Sequence, residues 1–233
     1  MILDDEFTIR VAREDGESLV LAGLTLARAF FEADPSARPG GYDALAGFGH
    51  RDRVGVEDVI AMNTTMRSRS KHAWWEPVFA SDQRWLCEIP ADLDIVEADE
   101  DEWKAANGSA LLSAAVAACI RPGIGLAGAT KLLHLKRPRL VPILDRFVAE
   151  TIGVSLPDSP TVEQRVAIGQ RLATAIRREG RRNLDALRRI QGELVEDDIH
   201  RPLIRIFDVV LWFSHPAASV PGARRSIAVC IRA

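Results

Sequence analysis

Along most of the chain apolar positions recur at the three-to-four-residue spacing of a helix face. Apolar residues at 19, 20, 21, 24, 26, 27, 30 and 31 predict a helix over 17–33. Further helices are predicted over 56–66, 75–86, 103–120, 126–136, 146–152, 161–178, 183–194 and 201–213, the last with Pro202 in its first turn. Only residues 6–12 alternate in the manner of a short strand. Residues 35–49, rich in Pro and Gly, read as a loop. Residues 90–101 form an acidic connector and the best place for a boundary between lobes. The pattern predicts a mainly α fold with one short N-terminal strand.

One stretch carries more than periodicity. Residues 120–153 read IRPGIGLAGATKLLHLKRPRLVPILDRFVAETIG. Pro122-Gly123-Ile124-Gly125 is a tight turn in which the glycines allow positive φ and close backbone approach, while Ile124 packs inward. An apolar, small-residue segment precedes it (110–120) and an amphipathic one follows, so helix, glycine turn and helix make a helix-hairpin-helix. The amides after the turn lie at a helix N-terminus, a position suited to a phosphate oxygen, and this puts Gly123, Ile124 and Gly125 among the candidate DNA contacts. A single aspartate, Asp145, follows the first turn glycine by 22 residues.

This segment resembles the helix-hairpin-helix DNA glycosylase superfamily. The matching parts are the Pro122–Gly125 turn, the Gly128-Ala129 pair on the second helix, and the apolar run Val141-Pro142-Ile143-Leu144 ending in Asp145, at the family's usual spacing. The resemblance implies a two-lobed helical fold with a base pocket in the cleft. Residues 1–100 then form an N-terminal, mostly helical lobe on which C-terminal helices pack, 101–160 the hairpin and catalytic segment, and 161–233 the C-terminal helices. Two departures define the subclass. Members that also cut the strand carry a lysine four residues after the first turn glycine, and Ala127 stands there, which leaves a lyase step without an evident nucleophile. Lys131, one turn later, is assigned to phosphate. The chain has three cysteines, Cys87, Cys119 and Cys230, too dispersed for an iron–sulfur cluster or a zinc site. The expected enzyme is monofunctional and needs no metal or organic cofactor; a monovalent or divalent cation at the hairpin turn, when DNA is bound, is the one addition allowed for.

Composition changes the picture mainly through charge. The net charge of −3 would disfavour nucleic acid if evenly spread, yet residues 1–109 sum to −11 and residues 110–233 to +8. Arg121, Lys131, Lys136, Arg137, Arg139 and Arg146 surround the hairpin, a footprint that fits double-stranded DNA, with phosphate contact set against a solvated helix face. The acidic N-terminus MILDDEFTIR has no apolar signal-peptide core, and the longest apolar run is too short for a bilayer. With unpatterned cysteines, this predicts a cytoplasmic monomer that does not engage membranes.

For Asp145 the chemistry is narrow. Breaking an N-glycosidic bond builds positive charge on the sugar, and a carboxylate there stabilises it and orients water. The local sequence equally fits an N-cap for 146–152, and the two roles are compatible. The segment 56–70 resembles the family's early helix, whose end reaches into the duplex, with Asn63, Thr64 and Thr65 as candidates against ordinary helix-end polar residues. Trp74 and Trp75 are candidates for stacking on a flipped base or wedging the helix, against core packing. The expected function is a monofunctional glycosylase that removes a damaged or modified base, in repair or in defence against foreign modified DNA. The alternative is a non-catalytic helix-hairpin-helix DNA-binding protein.

Overall fold

A computed structural model describes residues 5–34, 37, 41–45, 49–66, 68, 70–218 and 231–232. The chain is mainly helical, as its periodicity predicts, but the N-terminal sheet is larger. Strands β1 (Thr8–Ala12) and β2 (Ser18–Ala22) form an antiparallel hairpin that sets Ile9 opposite Leu21 and Val11 opposite Leu19. A short β3 (Ile231–Arg232) pairs antiparallel with β2. The start of the helix predicted over 17–33 is therefore a strand. Gly16, at φ +89°, turns the chain, and Leu19 and Leu21 then point to the buried face at every second residue. Helix α1 (Gly23–Ala33) begins only at Gly23, where a Cβ would lie 2.8 Å or less from Ile190, Ile9 and the Phe7 carbonyl.

Helices α2 (Val56–Thr65), α3 (His72–Phe79) and α4 (Arg84–Cys87) follow. Here the predicted helix over 75–86 is two pieces, because Asp82 accepts the Arg84 N–H at 3.0 Å and starts a new turn. Likewise 103–120 divides into α5 (Glu100–Ala105) and α6 (Gly108–Cys119) at Asn107, whose φ of +50° leaves the right-handed helix. The connector 90–101 thus ends inside a helix, with Asp99 as the cap of α5, accepting the Asp101 and Glu102 amides. Helices α7 (Leu126–Lys136), α8 (Arg146–Ile152), α9 (Val162–Arg182), α10 (Leu184–Glu196) and α11 (Leu203–Ser214) complete the chain. Pro202 caps α11 from outside its first turn.

The buried apolar residues, from Ile9 to Leu211, form one contiguous core. Helix α11 runs through it: every residue from Leu203 to Leu211 is buried, so its polar members must find partners inside. Arg205 pairs with Asp43 at 2.7 Å and with Asp208 at 2.8 Å. Burial opposes its charge, but the two carboxylates outweigh this and hold the guanidinium pKa above its ordinary value. At the other end of the core, the buried Glu179 carboxylate accepts Ala12 N–H and pairs with Arg178 and Arg182. Asn183 bonds the backbone N–H and carbonyl of Arg10, fixing β1 to the α9–α10 junction. Among the described residues no helix is long and apolar enough to cross a membrane.

Candidate nucleic-acid and catalytic site

The glycine turn forms as its sequence demands. The Ile124 N–H donates to the Arg121 carbonyl at 2.9 Å, with Pro122 in the second turn position and Gly123, at φ +86°, in the third. Trp74 covers this glycine so closely that a Cβ would fall 2.6 Å from its ring. Ile124 is buried. Gly125 caps α7 in extended backbone (φ −81°, ψ 174°), and among the described residues, its chain neighbours aside, no atom lies within 4 Å of where its Cβ would be. The turn thus has a packed inner side and an open outer side. Arg121 spends one nitrogen on the C-terminal end of α6, donating to the carbonyls of Ala117 and of the cap residue Ile120 at 2.8 and 2.7 Å.

The run that leads to Asp145 is buried from Leu140 to Leu144 and belongs to no helix or strand, so its backbone groups need partners from side chains. The Leu144 N–H donates to Thr130 Oγ1 at 3.0 Å, the Ile143 N–H to Asp208 at 3.2 Å, and the Val141 carbonyl meets His134 Nδ1 at 2.6 Å. Burial keeps His134 neutral, with its pKa lowered to about 4. Asp145 itself is half-buried and caps α8, accepting the Val148 N–H at 3.0 Å. Burial raises its pKa above the ordinary carboxylate value, against the opposing pull of that amide and of Lys131. Lys131 mirrors this: burial lowers its pKa, and the Asp145 charge works the other way. An amine and a carboxylate of opposed tendency thus share one half-buried surface.

Aromatic rings flank this surface, and the sequence pattern did not single them out. The half-buried Trp212 favours the ionised form of Asp145 and lies 5.9 Å from the rings of Phe147 and Phe30. His215 stacks on Phe147 at 4.5 Å and meets Glu150 at 2.7 Å. The available signal was Trp212-Phe213 at the end of an otherwise buried helix, where aromatic residues reach the surface beside a carboxylate. Chemically the arrangement offers a desolvated carboxylate beside flat apolar faces.

Several expected contacts need correction. Lys136 is wholly buried, in an ion pair with Asp58 and a 3.0 Å bond to the His50 carbonyl. Arg137 is equally buried, pairing with Asp52 at 2.8 Å and donating to the Ile89 and Arg51 carbonyls at 2.9 and 3.0 Å. Neither side chain can reach a phosphate without unmaking the fold. Arg139 is exposed but pairs with Asp94 at 3.1 Å and Glu97 at 2.8 Å. The charge asymmetry is consumed in the same way: Arg177, Arg178 and Arg188 of the basic half pair with Glu100, Glu14 and Glu97 of the acidic half. Near the turn this leaves Arg121, Lys131 and the exposed Arg146, which holds Glu150 at 3.3 Å. Trp75 is fully buried and cannot stack on a base, whereas Trp74 braces Gly123. Asn63 is engaged with Ser70, donating to its carbonyl at 2.8 Å, while Thr64 and Thr65 return their hydroxyls to the Ile60 and Ala61 carbonyls. Cys119 is buried, its thiol pushed up to about 12, and Cys230 lies outside the described residues. Among the described residues no three His, Cys, Asp or Glu side chains are grouped to hold a metal ion.

Residues 24–215 match the model of a family of unknown function, DUF6308, and the chain belongs to that family. No curated protein and no solved structure shows significant similarity to it.

Proposed function

We propose that this protein is a monofunctional DNA glycosylase: it holds a duplex through the hairpin turn, takes a modified base into the aromatic surface beside Asp145, and hydrolyses the N-glycosidic bond. The observation that carries this reading is the join between hairpin and aspartate. Helix α7 begins at the open turn and, four residues further in, hydrogen-bonds through Thr130 to the residue preceding Asp145. A backbone phosphate at the turn and a sugar at the carboxylate then belong to one rigid element. The two-lobed closure of the glycosylase superfamily, double-stranded DNA as partner, a cytoplasmic monomer, and repair or defence as the setting belong to the same reading.

The decisive assay uses duplexes carrying single damaged or hypermodified bases, followed by alkali. Strand breaks only after alkali are expected for at least one base, and borohydride should trap no protein–DNA adduct because Ala127 supplies no amine. An adduct would assign Lys131 or another amine a nucleophilic role and end the monofunctional reading; no base release from any duplex would remove the glycosylase itself. One observation favours a non-catalytic DNA-binding protein instead, the use of Asp145 as an ordinary N-cap, and that outcome would support it.

The turn has its own test. Gly125→Val suits the extended backbone and its Cβ enters open space among the described residues, so it should cost the fold about 1 kcal/mol as a poorer cap. DNA affinity in a fluorescence titration should nonetheless fall about tenfold or more, roughly 1.4 kcal/mol, because the branched side chain occupies the space a phosphate needs. Unchanged affinity would show that nothing approaches the outer face of the turn.

A further inference from the structure

The run before Asp145 is held by side chains that no glycosidic chemistry requires. Thr130 Oγ1 does two jobs at once: it donates to the Leu126 carbonyl at 2.9 Å and accepts the Leu144 N–H at 3.0 Å. Asp208, reaching from α11, accepts the preceding Ile143 N–H. Both residues are almost wholly excluded from solvent, at 0% and 2% exposure, so water cannot replace either bond. Asp208 is in turn held by Arg205, whose other partner is Asp43 in the 3-10 turn Tyr42–Leu45. Tyr42 of that turn donates its hydroxyl to the Lys131 carbonyl and stacks on His134. One buried chain of contacts therefore links a turn far back in the sequence to the two peptide units immediately ahead of the carboxylate.

We infer that Thr130 and Asp208 are positioning residues for Asp145: they fix its backbone from two different helices, so that the carboxylate meets its substrate in one place only. Burying an Asp–Arg–Asp group costs desolvation that an apolar trio would avoid, so its presence calls for a geometric reason. Two successive peptide N–H groups aimed at acceptors on two different helices provide one, since together they fix both the place and the orientation of the backbone. A displacement of the carboxylate by about 1 Å is enough to change a reaction rate by orders of magnitude. The inference rests on the glycosylase reading for its kinetic consequence, but not for its structural one.

The test is Thr130→Val, which keeps the shape and removes the acceptor, with Thr130→Ser restoring the hydroxyl. In the full chain, the valine substitution should leave the fold and DNA affinity intact and accelerate amide exchange at Leu144. The titration of the Asp145 side-chain carbon in NMR spectra should shift, and kcat for base release should fall about tenfold with KM unchanged; the serine variant should recover all of these. Asp208→Asn keeps one oxygen for the two donors that the carboxylate serves, Arg205 and the Ile143 N–H, and should accelerate amide exchange at Ile143. If the folded Thr130→Val protein keeps wild-type exchange at Leu144 and wild-type titration of Asp145, the positioning role is wrong. If those two readouts shift and recover but the wild-type protein releases no base from any duplex, the glycosylase reading fails while the positioning of Asp145 stands.

Discussion

Asp145→Asn should lower base release about a hundredfold or more, the rate equivalent of losing roughly 3 kcal/mol of charge stabilisation in the transition state. The structure makes this substitution unusually clean. Asp145 caps α8 through one oxygen, and asparagine ranks with aspartate as an N-cap, so the Val148 N–H keeps its partner and the helix its start. The charge disappears together with one of the two acceptor oxygens, which Trp212 and the Phe147 N–H also engage. DNA affinity should hold, because the turn is untouched, and thermal stability should change little. The pH dependence supplies a second signature. Burial raises the Asp145 pKa above 3.8, and in the proposed reaction the ionised form is the active one. Activity should therefore fade as pH falls through that raised value, placing the acid limb of single-turnover base release above the ordinary aspartate range. In the asparagine variant that limb should vanish along with most of the rate. A variant that releases base at the wild-type rate would leave Asp145 as a cap alone.

The parts of this site that sequence could disclose are those written in local chemistry. Pro-Gly-Ile-Gly dictates its own turn, because only glycine accepts Gly123's positive φ without strain, and the apolar spacing around it dictates the two helices. The strand at Ser18–Ala22 was obscured because a short run of leucine, valine and alanine suits either a helix or a strand face; what decided it was pairing with β1, a long-range event. The basic residues misled for a related reason. Lys136 and Arg137 end a helix whose sequence allows it to face solvent, and nothing nearby in sequence announces their partners, Asp58 and Asp52, nearly eighty residues or more away. Charge counted by segment cannot separate a phosphate-binding face from half of an internal ion-pair system. Thr130 and Asp208 were invisible for the opposite cause: each looks like an isolated polar residue on an apolar helix face until the fold brings the Ile143 and Leu144 amides against them.

The largest effect on stability should come from Lys136. Its ammonium group and the Asp58 carboxylate are both at 0% exposure, and Asp58 also accepts the Gly55 N–H at 2.8 Å, so the pair ties the last turn of α7 to the first turn of α2. Removing one member of such a pair typically costs about 3–5 kcal/mol, because the other charge is left without compensation in a medium that cannot solvate it. Lys136→Met should therefore lower the urea midpoint by an amount corresponding to that loss. Burial already pushes the Asp58 pKa upward against the pull of Lys136, and without the lysine the carboxyl should hold its proton to a higher pH still. That protonation relieves part of the cost, more so as pH falls, so the deficit of the single variant should shrink in acid. The double variant Asp58→Ala/Lys136→Met, which removes both charges, should regain much of the stability, giving a strong coupling in a double-mutant cycle. DNA affinity of any folded fraction should match the wild type. If Lys136→Met instead keeps wild-type stability and loses DNA affinity together with about 0.9 of the salt slope per contact, Lys136 acts on phosphate and its burial against Asp58 does not describe the working protein.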